Sequence, residues 1–323
     1  MTATVFIDGE AGTTGLEIKS LLESRNDIRL VRLADATRKD AGARKDAIAS
    51  ADVAILCLPD DAAREAAKML KGTNTRLIDA STAHRIDPDW TYGFPELGPG
   101  QREKIAVSPR VSNPGCYACS AVALLRPLTA AGLLPADFPV TINAISGYSG
   151  GGRKMIASYE DPNAPDYTES PFRVYALGLE HKHTPEIERH SGLTTRPLFV
   201  PSVGRFAQGM IVSLPLQLWA LPSKPSVRDV YGALSDHYAG KKGVTVASLA
   251  QSAAFNDELD AEMLNGTDGL KIHVFANQAR EQAVVCAVLD NLGKGAAGQA
   301  VQNLEIMLGL PEAPLLAGIR ISK

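Results

Sequence analysis

The chain has 323 residues, 45% of them hydrophobic and 21% charged, with 33 Lys and Arg against 36 Asp and Glu for a net charge of −3. At about 150 residues per domain this suggests roughly two domains, and the composition excludes a disordered chain. Basic residues cluster no further than pairs such as Arg38–Lys39 and Lys241–Lys242, so no track for a phosphate backbone is expected and nucleic acid is excluded as a partner.

No apolar run approaches the roughly 20 residues that span a bilayer. The first basic residue is Lys19, and four cysteines are too few for a disulfide framework. The expectation is a cytoplasmic, reducing compartment with no membrane association. Along the first third, Val5–Ile7, Leu30–Val31, Val53–Leu58, Leu77–Ile78 and Ile105–Val107 read as short buried strands. Between them Ile18, Leu21 and Leu22 share a helical face, as do Ala63, Ala66, Ala67 and Leu70, with Gly72 placed as a C-cap. Repeated strand–helix units predict an α/β fold beginning with a Rossmann-type parallel sheet. Further on, 208–219, 270–277 and 282–289 alternate apolar and polar residues. That period predicts an α+β domain with a mixed or antiparallel sheet covered on one side. Residues 160–171, rich in Pro and Asp, read as a long surface loop or interface arm. Ala297, Ala300, Val301, Leu304 and Leu308 predict a closing helix. The expected domains are 1–113 for nucleotide binding, completed by the C-terminal helix at 290–323, and 114–289 for catalysis and oligomerisation.

Five segments carry candidate chemistry. Gly9, Gly12, Thr13, Thr14 and Gly15 lie between the first strand and the first helix. There glycines permit a pyrophosphate to approach backbone N–H groups at a helix N-terminus. After the second strand, Arg32, Arg38 and Lys39 outnumber Asp35, which favours a 2′-phosphate and hence NADP(H), with a solvated turn as the bland alternative. Cys116 follows Asn113-Pro114-Gly115 and opens a helical segment with Cys119 one turn on. A helix start stabilises a thiolate. A redox pair, half a zinc site and a single nucleophile at Cys116 compete, and the turn context favours the nucleophile; no metal is expected. His181-Lys182-His183-Thr184-Pro185-Glu186 groups titratable side chains at the start of a helix capped by Thr184, an imidazole–carboxylate set suited to assist a thiol. The remaining histidines, at 84, 190, 237 and 273, read as surface or satisfied polar groups. The loop Ser146–Arg153, rich in Gly and Ser, ends in a guanidinium able to bind phosphate.

Taken in order, these segments resemble the N-acetyl-γ-glutamyl-phosphate reductase family in its shorter form. So do Ile78–Arg85, Tyr92–Leu97 and Asp290–Gln299. The resemblance implies NADPH-dependent reduction of an acyl phosphate to an aldehyde in arginine biosynthesis, and a homo-oligomer, dimer or tetramer, acting on a small-molecule substrate. It implies Cys116 as nucleophile and His183, His181 and Glu186 as the acid/base set; a helix starting at Pro185 would put Glu186 in its first turn beside residue 183, which favours His183 as the residue that moves the proton. It also implies cofactor contacts at Gly9, Gly12, Thr13, Thr14, Gly15, Arg38, Lys39, Leu58, Pro59, Ser81, Ser149, Gly150 and Asn291, and substrate contacts at Arg85, Asn113, Arg153 and His181. Aspartate-semialdehyde or aminoadipyl-phosphate reduction, a cysteine hydrolase and an inactive nucleotide sensor are the alternatives.

Overall fold

The computed structural model describes residues 2–70, 72–255 and 258–312, in two compact units. One unit holds the chain to Pro95, Gly100–Gly115 and everything described from Ala296 onward; the other holds Glu96–Pro99 and Cys116–Gly295. Of the segment 290–323 expected to complete the first domain, 290–295 group with the second unit and 313–323 lie outside the described residues.

The first unit runs β1 (Ala3–Asp8), α1 (Thr13–Glu23), β2 (Ile28–Val31), α2 (Ala41–Ala49), β3 (Val53–Leu56), α3 (Asp60–Met69), β4 (Arg76–Asp79), β5 (Thr91–Tyr92), α4 (Gln101–Val107) and β6 (Arg110–Ser112). Its six strands are all parallel, in the order β2-β1-β3-β4-β6-β5. The order reverses between β1 and β3, the place where an open α/β sheet leaves a crevice at its carboxyl ends.

The second unit runs α5 (Cys116–Ala130), β7 (Thr141–Gly147), α6 (Gly152–Glu160), β8 (Phe172–Val174), α7 (Thr184–Ser191), β9 (Leu198–Gly204), β10 (Met210–Gln217), α8 (Val227–Tyr238), β11 (Val244–Val246), α9 (Leu249–Ala253), β12 (Leu270–Asn277) and β13 (Gln282–Leu289). Its seven strands form a mixed sheet in the order β11-β12-β13-β10-β7-β9-β8. Only β7–β9 and β11–β12 pair in parallel. On β10 the buried residues Met210, Val212, Leu214 and Leu216 alternate with more exposed ones, as the period of two requires. Past the last residue of α6, 161–171 form turns and irregular chain leading to β8.

After a π-helical turn, Gly293–Ala297, the helix α10 (Gly298–Leu308) returns to the first unit. There Ala300, Val301, Leu304 and Met307 join Ile18 and Leu22 of α1 and Ile105 of α4 against Val5, Ile7, Val53, Ile55, Ile78 and Val111. The other sheet face carries Ala47, Ile48, Ala63, Ala66 and Trp90 over Phe6, Ala54, Leu56 and Leu77. With both faces covered, its central strand β3 is continuously apolar and buried, and β1 is buried from Thr4 to Asp8. One strand expectation is corrected: Ile105–Val107 forms the end of α4, with Ile105 buried and Val107 83% exposed, and the strand follows at Arg110. A three-residue apolar run does not distinguish strand from helix.

The helix α5 is buried almost all round and packs against α7, α8, β10 and β13. Pro127 within it offers no N–H to the carbonyl of Ala123. The hydroxyl of Tyr238 donates to that carbonyl instead, at 2.9 Å. This exchange lets a proline sit inside the helix that presents Cys116.

Candidate active site

In the first unit, the residues expected to hold a nucleotide follow the carboxyl ends of consecutive strands. Gly9 follows β1, Leu58 and Pro59 follow β3 and Ser81 follows β4, while Asn113, expected to contact substrate, follows β6. Gly9 adopts φ +90°, and a Cβ there would lie 2.4 Å from the carbonyl oxygen of Cys57. A Cβ on Gly15 would lie 2.5 Å from the Gly9 oxygen. Only glycine fits either position. Gly12 caps α1 with no side chain bonded to its first N–H groups, which stay available to an anion. The Thr13 hydroxyl is buried without a hydrogen-bond partner among the described residues. Leu58 lies against the turn.

Behind this turn stands a polar layer. Asp8 accepts Nη2 of Arg44 at 2.7 Å in a nearly buried pair. Asp79 accepts the N–H and hydroxyl of Ser81 at 2.9 and 2.8 Å and lies 2.6 Å from His84 Nδ1. The His84 ring stacks on Trp90. Arg85 is buried, giving Nε to Asn113 O at 2.9 Å and Nη2 to Ala80 O at 3.0 Å. Asn113 donates to Ala296 O and accepts from Asn303. Of the basic residues near β2, Arg32 pairs with Glu23 at 2.7 Å, Arg38 lies 3.8 Å from Asp35, and Lys39 is exposed.

In the second unit, Cys116 is the first residue of α5, where N–H groups lack helical acceptors and the dipole favours a thiolate. Beside it Tyr117 carries its ring 5.8 Å from His181 and 5.9 Å from His183. Tyr175 and Phe199 close on His181 at 5.7 and 5.1 Å. This apolar, aromatic enclosure, with the charge of Lys182, lowers the His181 pKa to about 4. Its Nδ1 accepts the N–H of His183 at 3.1 Å, which leaves the proton of the neutral ring on Nε2. Burial raises the hydroxyls of Tyr117 and Tyr175 as well, Tyr175 to about 12, so both remain neutral donors; Tyr117 gives its proton to Ser202 O at 2.9 Å. The helix α7 begins at Thr184 rather than Pro185, so His183 itself takes the N-cap position. His183 and Glu186 are both buried, Glu186 in the first turn.

Residues 4–106 match the family model of the semialdehyde dehydrogenase NAD binding domain, and residues 116–291 that of its dimerisation domain. N-acetyl-gamma-glutamyl-phosphate reductases of Brucella ovis and Brucella melitensis are 53% identical over 96% of this chain and 100% of their own length. The chain belongs to the N-acetyl-gamma-glutamyl-phosphate reductase family. Its fold is that of aspartate semialdehyde dehydrogenase. The Francisella tularensis enzyme superposes with a TM-score of 0.71 at 14% identity, covering 95% of this chain and 100% of that one. The Candida albicans enzyme with NADP superposes at 0.63 and 15% identity, covering 95% and 99%.

In this reductase-family chain the Gly/Ser loop is a scaffold as well as a candidate contact. Asn291 accepts the Gly209 N–H at 2.8 Å and donates to the Ser149 hydroxyl at 2.9 Å, while Gly150 is exposed. Arg153, on the first turn of α6, is exposed and makes no ion pair among the described residues. Lys294 and Glu96, to which no motif in the sequence gives a role, form a fully buried pair at 2.9 and 3.0 Å. A lysine inside a glycine-rich run was the available signal. Gly295 next to it lies so close that a Cβ there would fall 2.9 Å from Cβ of Cys116. Cys119 is wholly buried, and burial raises its thiol to about 12 against the pull of Lys294. The bland reading of His273 is corrected: it is completely buried with Nε2 unsatisfied among the described residues. His84 is interior as well, but as the satisfied polar group expected, with Nδ1 2.6 Å from Asp79. No three His, Cys, Asp or Glu side chains among the described residues gather as a metal site, and no described helix is long and apolar enough to cross a membrane.

Proposed function

We propose that the protein reduces N-acetyl-γ-glutamyl phosphate to N-acetylglutamate 5-semialdehyde with NADPH, releasing phosphate. The observation that carries this reading is the cysteine at the free N-terminus of α5 beside two histidines on the adjoining α7 turn, in a chain 53% identical to reductases of that name. The Cys116 thiolate attacks the acyl carbon, phosphate leaves, and a thioester forms on its sulfur. The N–H groups of the first α5 turn stabilise the oxyanion. His183, with Glu186 in the same turn, gives and takes the proton. His181, neutral at working pH, donates from Nε2 to the substrate. Arg153 is the accessible guanidinium for the phosphate or carboxylate, since Arg85 is engaged by main-chain carbonyls.

The glycine turn fits a dinucleotide: Gly9 and Gly15 leave room for backbone approach, and the Thr13 hydroxyl awaits an acceptor or donor. When bound, the nicotinamide supplies the two electrons that take the thioester to the aldehyde level. Arg38 and Lys39 select the 2′-phosphate. The chain acts as a homo-oligomer in the cytoplasm, associating through the outer face of the mixed sheet, where Phe172, Val174 and Leu198 are exposed.

The test is phosphate-dependent NADP reduction with N-acetylglutamate semialdehyde and with aspartate semialdehyde in parallel. A kcat/KM at least about tenfold higher for the acetylated substrate is expected, because one bond's worth of side-chain discrimination reaches that factor. Preference for aspartate semialdehyde, or turnover independent of phosphate, would overturn the assignment.

A further inference from the structure

Cys119 takes no part in the chemistry above, yet its position is that of a partner for Cys116. The two sit three residues apart in the first turn of α5, on the side flanked by Lys294 and Gly295. Gly295 lies close to Cys116, so that a Cβ on it would fall 2.9 Å from that of Cys116, and the Lys294 charge acts on Cys119. Cys116 is half-buried and open to small solutes, whereas Cys119 is 0% exposed and closed to them. Cβ atoms three residues apart on a helix are about 5–6 Å from one another, and a disulfide draws them to about 3.5–4.5 Å. The first turn of a helix permits that contraction, since its N–H groups are not tied to preceding carbonyls.

We propose that Cys116 and Cys119 form an oxidisable dithiol site, in which a hydroperoxide oxidises Cys116 and Cys119 captures it as an intrahelical disulfide. This rests on the reading of Cys116 as the reactive thiolate. In the first step the Cys116 sulfur attacks a peroxide oxygen and the O–O bond breaks. Hydroxide, or an alkoxide, leaves and is protonated, and the sulfur, oxidised by two electrons, becomes a sulfenic acid. In the second step the Cys119 sulfur attacks that sulfur, the S–S bond forms, and the S–O bond breaks. Water leaves carrying the Cys119 proton. With hydrogen peroxide the sum is two thiols and one peroxide to one disulfide and two waters. An external dithiol restores both thiols by exchange. Burial of Cys119 slows the second step, and its fixed adjacency offsets this. The bridge removes Cys116 from the irreversible path to sulfinic acid.

The full chain, reduced and then exposed to a molar excess of hydrogen peroxide, is read by mass and by activity. Expected is a tryptic peptide spanning 111–153 about 2 Da lighter, with activity lost in parallel and nearly all of it restored by dithiothreitol. In Cys119→Ser and Cys119→Ala basal activity persists, but peroxide leaves that peptide about 32 Da heavier and dithiothreitol restores almost none of the activity. Oxygen adducts on Cys116 of the parent without the lighter peptide overturn the proposal. So does equal recovery in the Cys119 variants, or a bridge to Cys57 or Cys286. The mass readout needs no substrate: a lighter peptide in a protein inactive on both semialdehydes removes the proposed activity and leaves the dithiol site standing.

Discussion

Replacing Gly295 with Ala places one methyl group against the nucleophile. Its Cβ would lie 2.9 Å from Cβ of Cys116, 3.0 Å from Cδ1 of Leu289 and 3.2 Å from Asp290 O. Carbon atoms in contact settle at about 3.5–4.0 Å, so Cys116 must retreat by about 0.6–1 Å. Displacement of a reacting group on that scale costs roughly 10–100-fold in rate, or about 1.4–2.7 kcal/mol of barrier. Gly295 lies outside the left-handed region, so alanine introduces contact without backbone strain. Overpacking costs about 1–3 kcal/mol in stability, and thermal melts must be recorded beside phosphate-dependent turnover and the rate of Cys116 alkylation by iodoacetamide. The control is Gly232→Ala in α8, where the new Cβ meets nothing within 4 Å; it should stabilise by about 0.5–1 kcal/mol and leave activity alone. A folded Gly295→Ala enzyme with kcat/KM within about twofold of the parent would refute the packing argument.

Cys116→Ser should abolish turnover, while His183→Asn lowers kcat by about 10²–10⁴ and His181→Asn raises KM; single-turnover kinetics that reverse the two histidines would exchange their roles. Arg38→Ala with Lys39→Ala should raise KM for NADPH more than for NADH, and equal effects would defeat the selection assigned to them. Tyr238→Phe leaves the Ala123 carbonyl without its donor and should cost about 1–3 kcal/mol in urea unfolding. Pro127→Ala, which returns the backbone N–H, should recover most of that loss if the exchange is real. His181 has a folded pKa near 4 against an ordinary value of 6.5. Its contribution to stability is therefore complete above pH 6.5 and is lost as pH falls toward 4. His181→Gln should flatten the stability curve in that window, and an unchanged slope would argue against the aromatic enclosure.

The periods of hydrophobic residues were enough to separate a parallel sheet from a mixed one, because burial on both faces and burial on one face leave different patterns. The glycine turn was legible for a local reason: Gly9 and Gly15 touch backbone within a few residues or one strand away. Ile105–Val107 misled because three apolar residues carry no period. Glu96 and Lys294 escaped notice because they are 198 residues apart and meet only in the folded chain. Nor does any pattern in sequence announce that Tyr238 will serve a carbonyl that Pro127 leaves free. His273 looked ordinary on an alternating strand, and the helices α9 and α8 packed on β12 make it interior.

The closing helix has a consequence for synthesis. Six parallel strands are complete once β6 has been made, yet α10 supplies Ala300, Leu304 and Met307 to one face of that sheet. At about 5–20 residues per second, translating residues 113–297 takes roughly 10–40 s. For that interval the nascent sheet holds Val5, Ile7, Ile55 and Ile78 beneath an incomplete cover, a hazard for aggregation and a natural binding stretch for a holdase chaperone. A ribosome stalled before residue 298 should display the first unit in a protease-sensitive state, and release of α10 should close it.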